Sequence, residues 1–203
     1  VALERCIALL TPSIEGHRNP IVVDATLGLG GHSGALLERF PNLRIVALDR
    51  DQDAIAQAMS HLENFKDRLT VIHAVYDQMP DVLDSLGIAD VDGILFDLGV
   101  SSMQLDNEER GFSYARSAPL DMRMDKSAKL TAREVLYSYA PEELTRILRE
   151  YGEERFAKRI VTNIVRARES GRLQTTSDLA EIVKESIPAP ARRVGGNPAK
   201  RTF

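Results

Sequence analysis

A glycine-rich segment near the amino terminus has the residue types of a ligand-binding turn, in the order Gly28-Leu-Gly-Gly-His-Ser-Gly34. The preceding residues 21–24 have the β-branched composition of a buried strand, and residues 35–40 have the apolar spacing of a helix. Glycine lets a ligand approach the main chain, and a helix N-terminus offers N–H groups to polar ligands. The segment therefore predicts a strand, a turn and a helix that bind a nucleotide-like ligand. A glycine turn without a ligand is the alternative.

An acidic residue, Asp49, ends the next apolar segment about twenty residues further on, where a carboxylate can accept the hydroxyls of a ribose. A dinucleotide-binding fingerprint would need glycine at positions 28, 30 and 33, but position 33 is serine. The alternative frame resembles the first motif of S-adenosylmethionine-dependent methyltransferases, with threonine replacing the first glycine; it consists of Asp24, Thr26, Gly28 and Gly30. We therefore expect S-adenosylmethionine as the cofactor rather than NAD.

Strand and helix patterns alternate through the first half of the chain. A helix is expected over residues 3–10, strands over 44–49, 69–75 and 91–97, and helices over 51–62 and 79–86. This order predicts an α/β fold with a parallel sheet, whose ligands bind beyond the carboxyl ends of the strands. Those ends carry Gly28–His32, Asp49, Tyr76 and Asp97. We expect Tyr76 to stack on an adenine and Asp97 to supply a carboxylate; rim packing and helix capping are the alternatives.

The alternation stops after Asp97. Residues 107–125 have no regular period, although their aromatic and apolar residues predict an ordered segment. Helix signals then return: a capping pair at Thr131 and Glu134, a proline-led start at Pro141, and helices over 152–168 and 177–187. Residues 107–195 are therefore interpreted as a helical insertion.

The net charge of −4 is unevenly distributed. Residues 1–103 have 7 basic and 15 acidic side chains, whereas residues 155–203 have 11 basic and 4 acidic ones. The basic carboxyl-terminal part favours a polyanionic partner, with a solvated helix face as the alternative. The single Cys6 and four scattered histidines predict no metal site, and the absence of a long apolar segment predicts a cytoplasmic protein without membrane association.

Several longer motifs resemble one family. They are residues 97–106 (DLGVSSMQLD), 109–113 (ERGFS), 119–125 (PLDMRMD), 151–160 (YGEERFAKRI) and 198–203 (PAKRTF). The chain resembles the ribosomal RNA small subunit methyltransferase H family (RsmH, also called MraW) over essentially its whole length. The resemblance implies a class I S-adenosylmethionine-dependent methyltransferase fold, Rossmann-like, with an inserted helical domain. It also implies N4-methylation of one cytidine in the decoding region of 16S ribosomal RNA.

The resemblance assigns cofactor contacts to Gly30, Gly31, His32, Asp49, Tyr76, Asp97 and Gln104. Reasoning from residue types alone reaches all of these except Gln104. Asp97 and Ser101 are candidate catalytic residues, because either could accept an N–H of the target amine. Contacts to RNA phosphates are expected among Arg155, Lys158, Arg159, Arg166, Arg192, Arg193, Lys200 and Arg201.

We expect residues 1–106 to form the methyltransferase core with the cofactor site and residues 107–195 to recognise RNA. Residues 196–203 would begin the return to a core whose remaining strands lie outside this chain. The expected partner is 16S ribosomal RNA or the small ribosomal subunit, and the oligomeric state stays open, with a homodimer among the alternatives. An NAD-linked oxidoreductase and a non-catalytic RNA-binding module are the rival functions.

Overall fold

The computed structural model describes residues 2–192 and 196–203. It contains two compact units that divide after Gly99. Each unit has its own hydrophobic core, one built around a sheet and the other around helices.

The first unit contains a four-stranded parallel sheet in the order β3-β2-β1-β4. Its strands are β1 (Ile21–Asp24), β2 (Arg44–Asp49), β3 (Leu69–His73) and β4 (Gly93–Leu95). The crossover from β3 back to β4 beside β1 gives the strand order of a Rossmann-like, doubly wound sheet. The predicted parallel α/β organisation is therefore confirmed.

Helices cover both faces of this sheet: α1 (Leu3–Glu15), α2 (Gly31–Arg39), α3 (Gln52–His61) and α4 (Met79–Ser85). Val22 and Ile45 point into the core shared with α1, α2 and α3, whereas Val23 and Val46 point into the core shared with α4. This alternation follows from the two-residue period of a strand and explains why the strands consist almost entirely of apolar residues.

Three elements of this unit differ from the prediction. Strand β3 ends at His73 rather than at residue 75. Helix α1 continues through Pro12 to Glu15 instead of ending near residue 10, and the hydroxyl of Thr11 donates to the carbonyl of Ile7 at 2.8 Å. Strand β4 covers three residues rather than residues 91–97. It ends early because the N–H of Asp97 donates to the Thr26 side chain and not to a neighbouring strand.

The second unit is helical. Its helices are α5 (Ser102–Asp106), α6 (Ala132–Ser138), α7 (Pro141–Glu150), α8 (Ala157–Glu169), α9 (Thr176–Ser186) and α10 (Ala189–Arg192). Helix α8 is central: Ile160, Val161 and Ile164 are at most 2% exposed, and the helix packs against α6, α7 and α9. The capping box predicted at Thr131 and Glu134 is present, and a second one at Thr175 and Asp178 begins α9.

Two arginines order the irregular segment before α6. Arg110 is 4% exposed, and its Nη2 donates to the carbonyls of Arg123 and Met124 at 2.9 Å. Arg123 in turn donates to Asp121 and to the carbonyls of Lys126 and Ala128. These bonds replace the backbone ladder that an irregular segment lacks.

The last residues, 196–203, lie in the helical unit. Ala199 is 1% exposed in the helical core, and the 3₁₀ helix Pro198–Arg201 packs against α9. The assignment of functional domains at 1–106, 107–195 and 196–203 stays a prediction.

Candidate cofactor site at the carboxyl end of the sheet

The glycine turn is held from within by a buried carboxylate. Asp24, at the end of β1 and 1% exposed, accepts the N–H of Thr26 at 3.2 Å and the hydroxyl of Ser33 at 2.7 Å. Burial raises the pKa of the Asp24 carboxyl above its ordinary value, although the hydrogen bonds from Ser33 and Thr26 act in the opposite direction. The side chain of Ser33 thus has a structural partner where a dinucleotide fingerprint has glycine.

The glycines of the turn have different roles. Gly30 has a φ angle of +82°, and a Cβ built on it would lie 2.6 Å from Leu62 Cδ1, so this position also sets the packing of α2 on α3. A Cβ at Gly28, with φ +53°, or at Gly31 would meet no atom within 4 Å. The space beside these two positions is therefore open to a ligand.

Asp49 ends β2 beside the turn. Its Oδ2 accepts the N–H of Gly28 at 2.7 Å, and its Oδ1 accepts the N–H of Asp51 at 2.8 Å. Each carboxylate oxygen has a second lone pair, so two acceptor positions are left for further donors. The contact also means that Asp49 fixes the middle of the glycine turn, a role that the sequence analysis does not predict.

A threonine hydroxyl joins the loops that follow β1 and β4. Thr26 Oγ1 accepts the backbone N–H of Asp97 at 2.7 Å. The carboxylate of Asp97 is 45% exposed and lies 3.9 Å from Nδ1 of His32, the second residue of α2. The structure therefore brings Asp97 and His32 together with the glycine turn. Threonine in place of the first motif glycine is explained by this bond.

An aromatic pair lies on the same edge. Tyr76, after β3, and Phe96, after β4, pack edge to face, with ring centroids 5.8 Å apart and an interplanar angle of 83°. Both side chains are nearly half exposed, at 46% and 45%. Phe96 is not among the predicted site residues, because it lies within the apolar segment that predicts the fourth strand. Its position next to Asp97 at the strand end is the signal that could have identified it.

Ser101 and Gln104 lie in the helical unit, at the start of α5. The Ser101 hydroxyl accepts the N–H of Gln104 at 3.2 Å, and Gln104 Oε1 accepts the N–H of Ser101 at 3.0 Å. They form a reciprocal capping box, and Gln104 is 5% exposed. Their predicted roles in catalysis and cofactor binding stay predictions.

The basic residues predicted to contact phosphate fall into two groups. Arg155, Arg192, Lys200 and Arg201 line one cavity of the helical unit. Lys158, Arg159 and Arg166 are exposed on α8. Arg193 lies outside the described residues.

The first unit brings together open space at Gly28 and Gly31, the N-terminus of α2, acceptor positions on Asp49 and an exposed aromatic pair, which are features that suit a nucleoside ligand. Among Rossmann-like folds, the motif frame that begins at Asp24 is that of the class I methyltransferases, and Ser33, bonded to Asp24, stands where a dinucleotide fingerprint has glycine. The chain belongs to the MraW methylase family, whose model matches residues 1–203. The predicted family and fold class are thereby confirmed.

Three relatives named "Ribosomal RNA small subunit methyltransferase H" match the whole chain. The proteins from Streptomyces avermitilis, Parafrankia sp. and Salinispora arenicola are 56%, 58% and 57% identical to it. The chain spans 64%, 62% and 55% of their respective lengths.

Two solved structures show weaker similarity. An rRNA methylase from Streptococcus thermophilus is 20% identical with a TM-score of 0.37, covering 45% of this chain and 53% of that one. A candidate rRNA-methylase from Clostridium thermocellum is 27% identical with the same TM-score of 0.37, covering 45% of this chain and 51% of that one. The fold assignment rests on the sheet order and on family membership instead.

Neither a metal-binding cluster nor a membrane-spanning helix is found in the described residues, 2–192 and 196–203. No group of three or more histidine, cysteine, aspartate or glutamate side chains is placed to hold a metal ion. No helix in this part of the chain is long and apolar enough to cross a membrane.

Proposed function

We propose that the protein transfers a methyl group from S-adenosylmethionine to the N4 amine of one cytidine in the decoding region of 16S ribosomal RNA. The observation that carries the proposal is the hydrogen bond from the backbone N–H of Asp97 to Thr26, which fixes the main chain of Asp97 beside an open glycine turn. Membership in a methylase family supports the reaction class, and the names of the relatives support the RNA substrate.

In this proposal the first unit binds the cofactor, which supplies a methyl group on a positively charged sulfur. Asp49 accepts the ribose hydroxyls through its free lone pairs, and Tyr76 with Phe96 forms an aromatic surface for the adenine. The backbone N–H of Gly31, in the first turn of α2, offers a donor to the polar end of the molecule. The N–H of Gly30 donates to the carbonyl of Leu27 at 2.8 Å, so Gly30 and His32 are proposed as contacts without a role for that N–H. Gln104 is proposed as a further contact.

The amine of cytosine is a weak nucleophile because its lone pair is delocalised into the ring. A carboxylate that accepts one of its N–H bonds localises electron density on the nitrogen, and Asp97 is proposed for this role, with Ser101 as the alternative. As the new N–C bond forms, the bond between the methyl carbon and the cofactor sulfur would break and leave its electron pair on sulfur as a neutral thioether. The nitrogen would release a proton to this acceptor or to water. Alignment of the reacting atoms supplies most of the rate enhancement in such a displacement.

The helical unit is proposed to bind the RNA through its basic side chains. Phosphate contacts hold and orient the strand, while an unpaired base can leave the stack and enter a pocket. A cytoplasmic location and a homodimer remain predictions.

The test is the transfer of labelled methyl from S-adenosylmethionine to small ribosomal subunits that lack the modification. The assay uses the protein at its full natural length; the chain spans 64% of the Streptomyces avermitilis relative. Label in N4-methylated cytidine would support cofactor, reaction and substrate together. RNA binding without transfer would favour a non-catalytic RNA-binding module, and binding of NADH in preference to S-adenosylmethionine would favour an oxidoreductase.

A further inference from the structure

The helical unit contains a cavity of about 390 Å³ that includes none of the predicted cofactor contacts. Its wall combines the segment before α8, the end of α9 with α10, and the 3₁₀ helix Pro198–Arg201. Four lining side chains are cationic: Arg155, Arg192, Lys200 and Arg201. One lining side chain, Glu154, is a carboxylate.

Most of this positive charge is not compensated within the part of the chain that the structure describes. Arg201 Nη1 donates to the carbonyl of Glu153 at 3.1 Å. Within residues 2–192 and 196–203, the side chains of Arg155, Arg192 and Lys200 form no hydrogen bond or ion pair. Like charges that share a concave surface raise its positive potential, so the cavity attracts an anion.

The wall of the cavity is built into the fold and does not depend on a ligand. A Cβ at Gly152 would lie 2.1 Å from the carbonyl oxygen of Arg201, so the turn before α8 and the 3₁₀ helix touch through their main chains. Asn197 Oδ1 accepts the N–H of Ala199 at 2.9 Å and caps that helix. Glu154 is 4% exposed, and its Oε1 accepts the N–H of Phe156 at 2.8 Å.

We propose that this cavity binds one phosphodiester of the RNA, together with the attached ribose. The inference rests on the proposed function and specifies where the RNA backbone is held. Arginine guanidinium groups match phosphate oxygens in geometry and charge, and the apolar Phe156, Ile187 and Pro198 can contact a sugar. The second carboxylate oxygen of Glu154 can accept a hydroxyl donor, which a ribose has and an ionised acidic protein side chain lacks.

The test measures the affinity of the purified protein for a single-stranded oligocytidylate RNA at several salt concentrations. Arg155→Gln and Lys200→Gln each remove one cation from the cavity, whereas Arg149→Gln and Lys129→Gln remove the same charges from exposed positions outside it. Each cavity variant is expected to bind about tenfold more weakly. The slope of log K against log salt should fall by about 0.7 for each lost phosphate contact.

Both controls are expected to stay within about twofold of the wild-type affinity, with melting temperatures showing that all variants fold. Cavity variants that behave like the controls would overturn the proposal. Equally tight, competitive binding of polyglutamate would overturn it in favour of an acidic protein partner. Methyl transfer by the wild-type protein is measured in parallel: its failure refutes the proposed function, whereas normal transfer with unaffected cavity variants refutes only the phosphodiester site.

Discussion

Replacing Thr26 with valine removes the hydroxyl that accepts the backbone N–H of Asp97 while keeping the shape of the side chain. A hydrogen bond of this kind contributes about 1 kcal/mol net, and the Asp97 side chain is 45% exposed, so water can hydrate the freed N–H. The expected loss of stability is therefore small, at about 0.5–1 kcal/mol. The loss of activity should be larger, because a displacement of about 1 Å at a reacting group can reduce the rate by about 10²-fold.

The assay compares kcat/KM for methyl transfer with the affinity for S-adenosylmethionine, measured by calorimetry. We expect Thr26→Val to lower kcat/KM by about 10- to 100-fold. Thr26→Ser is the matched control, since it keeps the acceptor oxygen and should retain near wild-type turnover. If Thr26→Val keeps kcat/KM within about twofold of wild type, the bond does not position Asp97 and the reasoning fails.

Four further substitutions examine the glycine turn and the helical unit. Gly30→Ala should lower the free energy of unfolding by about 1–3 kcal/mol in urea titrations, because its Cβ would meet Leu62 at a positive φ angle. Gly28→Ala places its Cβ in open space, so it should lower the free energy of unfolding by only about 1 kcal/mol and mainly weaken cofactor binding. Equal losses of stability in the two glycine variants would contradict the different roles of Gly28 and Gly30. Asp49→Asn exchanges an acceptor oxygen for a donor, so we expect S-adenosylmethionine to bind at least about tenfold more weakly in calorimetry, and unchanged affinity would exclude the ribose role. The hydrogen bond from Arg123 is the main cause that lowers the pKa of Asp121 in the folded protein. The ionised Asp121 therefore stabilises the fold fully above its unfolded pKa of about 3.9, and this stabilisation is lost as the pH falls through the lower folded pKa. Thermal melts of Asp121→Asn should therefore show lower stability at neutral pH and a smaller decline in acid, and identical profiles would refute this assignment.

Local patterns predict the sheet and most helix boundaries well. The β-branched composition of residues 21–24 and 44–49 and the turns between them are sufficient to place β1 and β2, and the pair Thr131 and Glu134 marks the start of α6. These features depend on residues close together in the chain. The strand-end positions of Asp49, Tyr76 and Asp97 follow from the same local signals.

Contacts between distant residues explain what the sequence does not reveal. Helix α8 begins at Ala157 rather than near residue 152, because Glu153 has a left-handed φ of +51° that no α-helix contains. Gly152, just before it, closely approaches the main chain of Arg201. Arg110 is charged and would be expected at the surface, yet two carbonyls 13 and 14 residues away hold it in the interior. Neither partner is visible in a periodic pattern.

Two carboxylates at the ends of neighbouring strands hold the glycine turn, and this arrangement couples the shape of the turn to ligand binding. Asp24 bonds the start of the turn and the first turn of α2, while Asp49 bonds Gly28 in the middle. The backbone is thus ordered during folding, so a ligand does not have to supply that ordering free energy when it binds. Because Asp49 both fixes Gly28 and is proposed to accept the ribose hydroxyls, a change in either contact should alter the other. Perturbations of the turn should therefore change the cofactor affinity even where they touch no cofactor atom.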